Sequence, residues 1–147
     1  MVALFDPWDA LDLLEAHVRD QAFESRWRSF IRECSLLLLP GLPPEAREWV
    51  DAADEHDEGR LSAAELTAVR VRAWQFHDDR RSTSPLTESS GLRAVMYRLW
   101  PEIDVVYWYE SAKCFLDFCG EAGLSSERWW PLLREQFAEI FEDDTEC

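Results

Sequence analysis

The sequence predicts an all-α fold in a single domain, with five to seven helices around one core. Apolar residues recur at spacings of three and four along most of the chain, which is the pattern of helices with one buried face. The chain has 147 residues, a typical length for one domain, and 47% of them are apolar, which is enough to form a core. We therefore expect residues 1–147 to form one helical domain.

The N-terminal part is predicted to be helical from Asp6 onwards. Asp6 can accept a hydrogen bond from a free backbone N–H group, and the proline that follows it fits the first turn of a helix. Apolar residues then keep helical spacing up to Leu39 without an intervening glycine or proline. This pattern predicts either one long helix or two helices interrupted near Asp20.

Residues 44–80 are predicted to form a helical hairpin. The first helix ends at Gly59, because glycine readily adopts the left-handed conformation that closes helices. The second begins with Ser62 and Glu65, a capping box in which each side chain bonds the backbone N–H of the other. The following residues 81–91 are rich in serine and threonine and are predicted to be a mobile loop.

The C-terminal part is predicted to contain three further helices. A short helix stops near Pro101, and a second apolar stripe ends at Gly120. Residues 105–109, VVYWY, are also typical of a strand by their β-branched and aromatic content, so a short strand-like segment remains open there. A last helix is predicted from Ser125, and residues 142–147 are expected to form a flexible acidic tail.

One stretch, residues 54–66, resembles the calcium-binding loop of EF-hand proteins. Asp54, Glu58 and Glu65 fall at ligand positions of that loop, with a glycine at its sharp turn. The pattern departs at two positions, because His56 offers nitrogen to a cation that prefers oxygen, and Glu58 is longer than the usual residue there. Helix capping explains the same residues without a metal. We therefore prefer a plain helix–turn–helix and keep a single-loop calcium binder as an alternative.

Sequence motifs for catalysis or for a metal centre are not found. Cys114 and Cys119 are five residues apart, so on a helix they point about 140° away from each other and cannot share a metal. The three histidines are scattered, and His77 with the two acids after it is expected to lie on a solvated surface. There is no nucleophile elbow and no phosphate-binding glycine loop. The sequence predicts no enzyme activity and no cofactor.

The net charge limits the class of partner. The chain has 15 basic and 30 acidic residues, a formal charge of −15. This charge repels nucleic-acid phosphates and anionic lipids and attracts basic proteins. The sequence shows neither a secretory signal nor an apolar stretch long enough to span a bilayer. The prediction is a cytoplasmic protein with reduced thiols, no direct contact with nucleic acid and no membrane association.

Two acidic patches are the candidate binding sites. Residues 51–58 and residues 139–146 each carry five acids and no base. Complementary charge on such patches steers and selects a basic partner, although charge runs of this kind are usually plain solvated faces. The candidate partner-binding residues are Asp51, Asp54, Glu55, Asp57, Glu58, Glu139, Glu142, Asp143 and Asp144.

These observations favour a non-enzymatic protein-binding module. Core packing is the usual place for the eight tryptophans, but their number leaves open that some lie at the surface, where tryptophans anchor interfaces. The most concrete hypothesis is an inhibitor or immunity-type protein that neutralises a basic toxin or nuclease. An adaptor or accessory subunit of a larger bacterial assembly is an alternative, and a homodimer that buries the spare aromatic residues stays open.

Overall fold

The described residues of the chain form eight α-helices and no β-strand. The computed structural model describes residues 6–145, with side chains described as far as Glu142. The all-α prediction is confirmed, although eight helices exceed the predicted five to seven. The helices are α1 (Ala10–Glu15), α2 (Phe23–Leu38), α3 (Glu45–Asp57), α4 (Ala63–Arg80), α5 (Leu86–Met96), α6 (Trp108–Glu121), α7 (Ser126–Gln136) and α8 (Ala138–Thr145).

The predicted interruption near Asp20 separates α1 from α2. Residues 16–22 form turns, and the side chain of Asp20 lies 2.8 Å from His17 Nδ1. Asp6 accepts a hydrogen bond from the backbone N–H of Trp8 and starts the first 3-10 turn, as its sequence context predicts. The N-terminal part is therefore two helices and not one long helix.

The hairpin of α3 and α4 follows the prediction closely. Gly59 has a φ of +81°, in the left-handed region, and ends the turn after α3. Ser62 and Glu65 form both hydrogen bonds of the capping box, each 3.0 Å long. These interactions act within a few residues, so the tertiary structure does not override them.

The predicted loop over residues 81–91 is too long. Turns occupy residues 81–84, and α5 begins at Leu86. The serines in the first half of α5 have partners that a loop would not give them. Ser89 Oγ lies 3.0 Å from His77 Nε2, and Ser90 donates to Glu121 at 2.8 Å. Polar composition misled the prediction because these side chains join helices.

The strand-like interpretation of residues 105–109 is wrong. Residues 105–107 form a bend and α6 begins at Trp108. Asp104 Oδ1 accepts the backbone N–H groups of Val106 and Tyr107, and a turn of this kind competes with extended structure. Val106 and Tyr107 of this segment are exposed and give it an apolar surface.

The expected flexible tail over residues 142–147 is helical for most of its length. Phe137 leaves helical geometry at φ −125° and ψ 36°, which divides the predicted last helix into α7 and α8. Helix α8 continues to Thr145, and residues 146–147 lie outside the described part. Phe137 itself is only 1% exposed and lies 5.2 Å from the ring of Phe23.

An aromatic cluster at the centre of the core joins α2 to α6 and α7. Trp27 and Phe30 of α2 contact Trp108 and Phe115 of α6 edge to face, with ring centroids 5.1 to 6.4 Å apart. Cys34 lies in the same core, and burial raises the pKa of its thiol. No helix of the described chain is long and apolar enough to cross a membrane.

Candidate functional site

The first predicted acidic patch is divided into an inner and an outer half. The inner half consists of Asp54 and Asp57, which bind three arginines from other parts of the chain, although Asp57 is itself exposed. Asp54 Oδ1 accepts from Arg32 Nε at 2.9 Å and from Arg98 Nη2 at 2.5 Å. Asp54 is thus partly buried and paired within the fold, whereas Asp57 pairs with arginines but remains exposed at the surface.

Asp57 completes this arginine–aspartate cluster, which consists of Arg28, Arg32, Asp54, Asp57 and Arg98. Asp57 Oδ1 accepts from Arg28 Nε at 2.9 Å, and its Oδ2 lies 3.0 Å from Arg98 Nη1. Arg98 is 1% exposed, so its charge depends on these carboxylates for compensation. The cluster ties α2 and α3 to the 3-10 turn at Tyr97–Leu99.

The cluster also changes the acidity of Asp54. Burial disfavours the ionised carboxyl group, but hydrogen bonds from Arg32 and Arg98 outweigh that effect and lower the pKa of Asp54 below its usual range. Asp54 is therefore ionised over the whole neutral range, and its charge is neutralised within the protein.

The residues of the EF-hand-like stretch are separately engaged and do not form a ligand loop. Residues 54–57 are the last turn of α3, and Asp54 binds arginines. His56 Nδ1 lies 2.8 Å from the carbonyl oxygen of Leu61, and Glu65 accepts from the backbone of Ser62. No group of three possible metal ligands lies together in the described part of the chain.

The outer acids of both patches lie at the surface. Asp51 is 3.4 Å from Arg47 one turn away, Glu58 pairs with Arg60, and Glu55 is exposed. In the second patch, Glu139 pairs with Arg26 and Glu142 is exposed. The side chains of Asp143 and Asp144 lie outside the described residues.

A groove that sequence reasoning missed lies between α2, the end of α5 and the start of α6. Its volume is about 420 Å³, and we call it the aromatic groove. Three of the eight large apolar residues that are exposed in the described chain line it, namely Trp74, Trp100 and Tyr107. The aromatic residues that line it are Trp27, Trp74, Tyr97, Trp100, Tyr107 and Trp108.

Trp100 is exposed at the groove and is held in place by two arginines. Its side chain is 50% exposed, although the guanidinium of Arg70 lies 3.8 Å above its ring. Arg70 also donates to the carbonyl oxygen of Leu99 at 3.3 Å, and Arg28 donates to the carbonyl oxygen of Trp100 itself. Because Arg28 also binds Asp57, the arginine–aspartate cluster fixes the position of this tryptophan.

The charges around the aromatic groove are unevenly distributed. Three exposed carboxylates line it, those of Glu102, Asp104 and Glu110. Glu102 and Glu110 form no ion pair with any described residue. Burial raises the pKa of Tyr97 to about 12, so that phenol contributes no charge at neutral pH. The exposed charges of the groove are therefore acidic, while its three arginines, Arg28, Arg93 and Arg98, are buried or partly buried among the aromatic walls.

Sequence signals for the groove exist but are indirect. Residues 100–107 contain five apolar or aromatic residues besides Pro101, and these do not follow helical spacing. The stretch contains no glycine. Such a stretch is unusual for an exposed connection, which is normally polar. The other walls come from residues scattered between Trp27 and Cys114, and no local pattern could have joined them.

Comparison with protein-family models, with curated proteins and with solved structures finds no match to this chain. A helical architecture alone hosts many unrelated functions, so fold class does not identify an activity. The function is argued below from the geometry and charge of the aromatic groove.

His77 is not at the solvated surface that its sequence context predicts. It is 1% exposed, with Nδ1 3.1 Å from Asp78 Oδ1 and Nε2 3.0 Å from Ser89 Oγ. This order of groups is that of a serine hydrolase triad, which also requires a substrate cavity and donors for an oxyanion. Neither the aromatic groove nor the second cavity, of about 390 Å³ near His17, is lined by these residues. The contact between His77 and Ser89 joins α4 to α5.

Proposed function

We propose that this protein is a non-enzymatic binding module that captures a basic protein through the aromatic groove. The observation that carries this proposal is the concentration of exposed tryptophan and tyrosine at one groove with an acidic rim. Tryptophan, tyrosine and arginine are the residues that dominate the energy of protein interfaces. Contiguous exposed apolar surface of this kind marks interaction sites in soluble proteins.

The fixed position of Trp100 supports the proposal further. A side chain that is already ordered before binding loses less conformational entropy on association than a free one. Arg70 covers one face of its ring and Arg28 holds its backbone, yet half of its surface remains accessible. Such a residue is suited to act as an anchor that inserts into, or receives, a group of the partner.

Charge favours a basic partner over a second copy of the chain. Each copy carries a formal charge of −15, so two copies repel each other, whereas a basic protein is attracted from a distance. The outer acids Asp51, Glu55 and Glu58 add to this field, although they do not line the groove. An inhibitor or immunity-type protein directed against a basic toxin or nuclease is the most concrete form of this function.

The test compares four immobilised baits, the wild type and three variants, in a pull-down from the source cell, followed by titration with the purified partner. The variants are Trp100→Ala and Tyr107→Ala, with Leu86→Ala as the matched control. Leu86 is 67% exposed and does not line the groove, so its loss removes similar apolar surface elsewhere.

We expect one basic protein to bind the wild type and the Leu86→Ala variant, and each groove variant to weaken its affinity tenfold or more. Retained affinity in both groove variants would refute the proposed docking surface. Sedimentation of the wild-type protein alone as a dimer that Trp100→Ala dissociates would assign the groove to a second copy instead.

A further inference from the structure

We infer that the aromatic groove recognises a guanidinium group, presented by an arginine side chain of the partner. This inference rests on the proposed function and names the chemistry of the group that enters the groove. Three observations carry it: the acids on the rim, the aromatic walls, and the guanidinium groups that the same rings already bind.

Two rings that line the groove, those of Trp74 and Trp100, already lie close to guanidinium groups of the protein itself. Arg70 lies 3.8 Å over Trp100. Arg93 lies 4.7 Å from the ring centroid of Trp74 and 4.5 Å from that of Phe118. A planar guanidinium stacks on an aromatic face through cation–π attraction and flat contact, which an ammonium group cannot match. These internal pairs show the geometry that a partner arginine would repeat on the accessible surface.

The carboxylates on the rim supply the counter-charge. Glu102 and Glu110 are exposed at the groove and have no ion-pair partner among the described residues. Three arginines line the groove, and Asp54 and Asp57 pair with two of them, Arg28 and Arg98. The third, Arg93, forms no ion pair with a described residue and lies partly buried against the rings of Trp74 and Phe118, whereas Glu102 and Glu110 are exposed. An incoming arginine can therefore place its stem on the aromatic wall and its head beside a free carboxylate.

The experiment uses the full chain, labelled with ¹⁵N, and a short synthetic probe. The probe is an acetylated and amidated pentapeptide, Gly-Arg-Gly-Arg-Gly. The control peptide carries citrulline in place of both arginines, which keeps the shape and removes the charge. Titrations at an ionic strength near 0.15 M limit unspecific attraction to the acidic surface.

With the arginine peptide we expect saturable shifts of the backbone amide signals of Trp74, Trp100 and Tyr107. The indole signals of the two tryptophans should shift as well. The double variant Glu102→Gln/Glu110→Gln should weaken that binding about fivefold, which is the effect of two exposed ion pairs. The matched control is Glu45→Gln/Glu48→Gln, two exposed acids in the first turn of α3 that lie outside the groove. Thermal melting of every variant verifies that the fold is retained.

Equal affinity for the citrulline peptide would overturn the inference, as would equal losses in the groove pair and the control pair. The proposed function has its own readout, which is the affinity of the partner protein for Trp100→Ala. If that variant loses the partner while arginine and citrulline peptides bind alike, guanidinium recognition fails and the docking surface stands. If the peptides are discriminated and the partner ignores Trp100→Ala, the proposed function fails.

Discussion

Replacement of Asp54 by asparagine tests how much the arginine–aspartate cluster contributes to the unfolding free energy. It keeps the shape of the side chain and removes its charge. Asp54 accepts hydrogen bonds from Arg32 at 2.9 Å and from Arg98 at 2.5 Å. Removal of one partner from a buried ion pair costs about 3–5 kcal/mol, because the other charge is left without compensation. Arg98 is 1% exposed but keeps Asp57, and Asp54 itself is 24% exposed, so we expect about 3 kcal/mol.

The assay is thermal or urea unfolding of Asp54→Asn beside Asp51→Asn. A loss of about 3 kcal/mol corresponds to a fall of roughly 6–12 °C in the melting temperature for a domain of this size. Asp51 lies one turn earlier on α3, and its pair with Arg47 at 3.4 Å is exposed, so its replacement should cost less than about 0.5 kcal/mol. Similar melting temperatures for the two variants would refute the argument that the cluster stabilises the fold.

The same pair of proteins gives a pH test with a defined sign. The pKa of Asp54 is lower in the folded state than in the unfolded state, so the carboxylate stabilises the fold above the unfolded pKa of about 4. This contribution is lost as the pH falls through the lowered pKa of the folded state. The gap in unfolding free energy between wild type and Asp54→Asn should therefore be constant from pH 7 to about pH 5 and close below pH 4. A gap that persists unchanged to pH 2 would contradict this origin.

Three further predictions concern the core, the hairpin and the partner. Phe137→Ala should cost roughly 3–5 kcal/mol in unfolding free energy, because Phe137 is 1% exposed between α7 and α8 and its truncation leaves a cavity. An unchanged melting curve would mean that these helices do not dock. Ser62→Ala should cost about 1 kcal/mol in unfolding free energy, because it removes the capping hydrogen bond. Millimolar calcium should not raise the melting temperature of the wild type. Calorimetric calcium binding that Glu65→Gln abolishes would instead support a calcium site. Association with the basic partner should slow as added salt shortens the Debye length from about 30 Å at 0.01 M to about 8 Å at 0.15 M. Charge reversal at Glu55 and Glu58 should have the same effect as salt. Stopped-flow association rates that stay constant under both changes would exclude electrostatic steering.

The sequence alone was sufficient for features that depend on neighbours within about one helical turn. The capping box at Ser62 and the left-handed Gly59 were predicted correctly, because their interactions join residues only a few positions apart. The sequence left open whether one long helix or two helices precede Leu39, and the structure has two. The all-α class was also predicted correctly, since the apolar spacing records which helix faces are buried.

Local composition failed where distant residues supply the partners. Residues 86–91 look like a loop but belong to α5, because Ser89 and Ser90 bind residues of α4 and α6. The segment at 105–109 looks like a strand, but Asp104 holds its start in a bend and no described strand is present to pair with it. The first error arises because side-chain hydrogen bonds across the fold outweigh a weak local preference, whereas at residues 105–107 a local side-chain turn from Asp104 does so.

The candidate site shows the same division most clearly. The sequence alone determined that residues 51–58 are acidic, but it gave no reason to distinguish the surroundings of Asp54 from those of Glu55. Only the tertiary structure brings Arg32 and Arg98 to Asp54, across 22 and 44 residues of chain, and leaves Glu55 at the surface. The aromatic groove depends likewise on contacts between distant helices. The physical reason is that a charge acts on whatever the fold places within a few ångströms of it, and that neighbourhood is set by the packing of helices far apart in the chain.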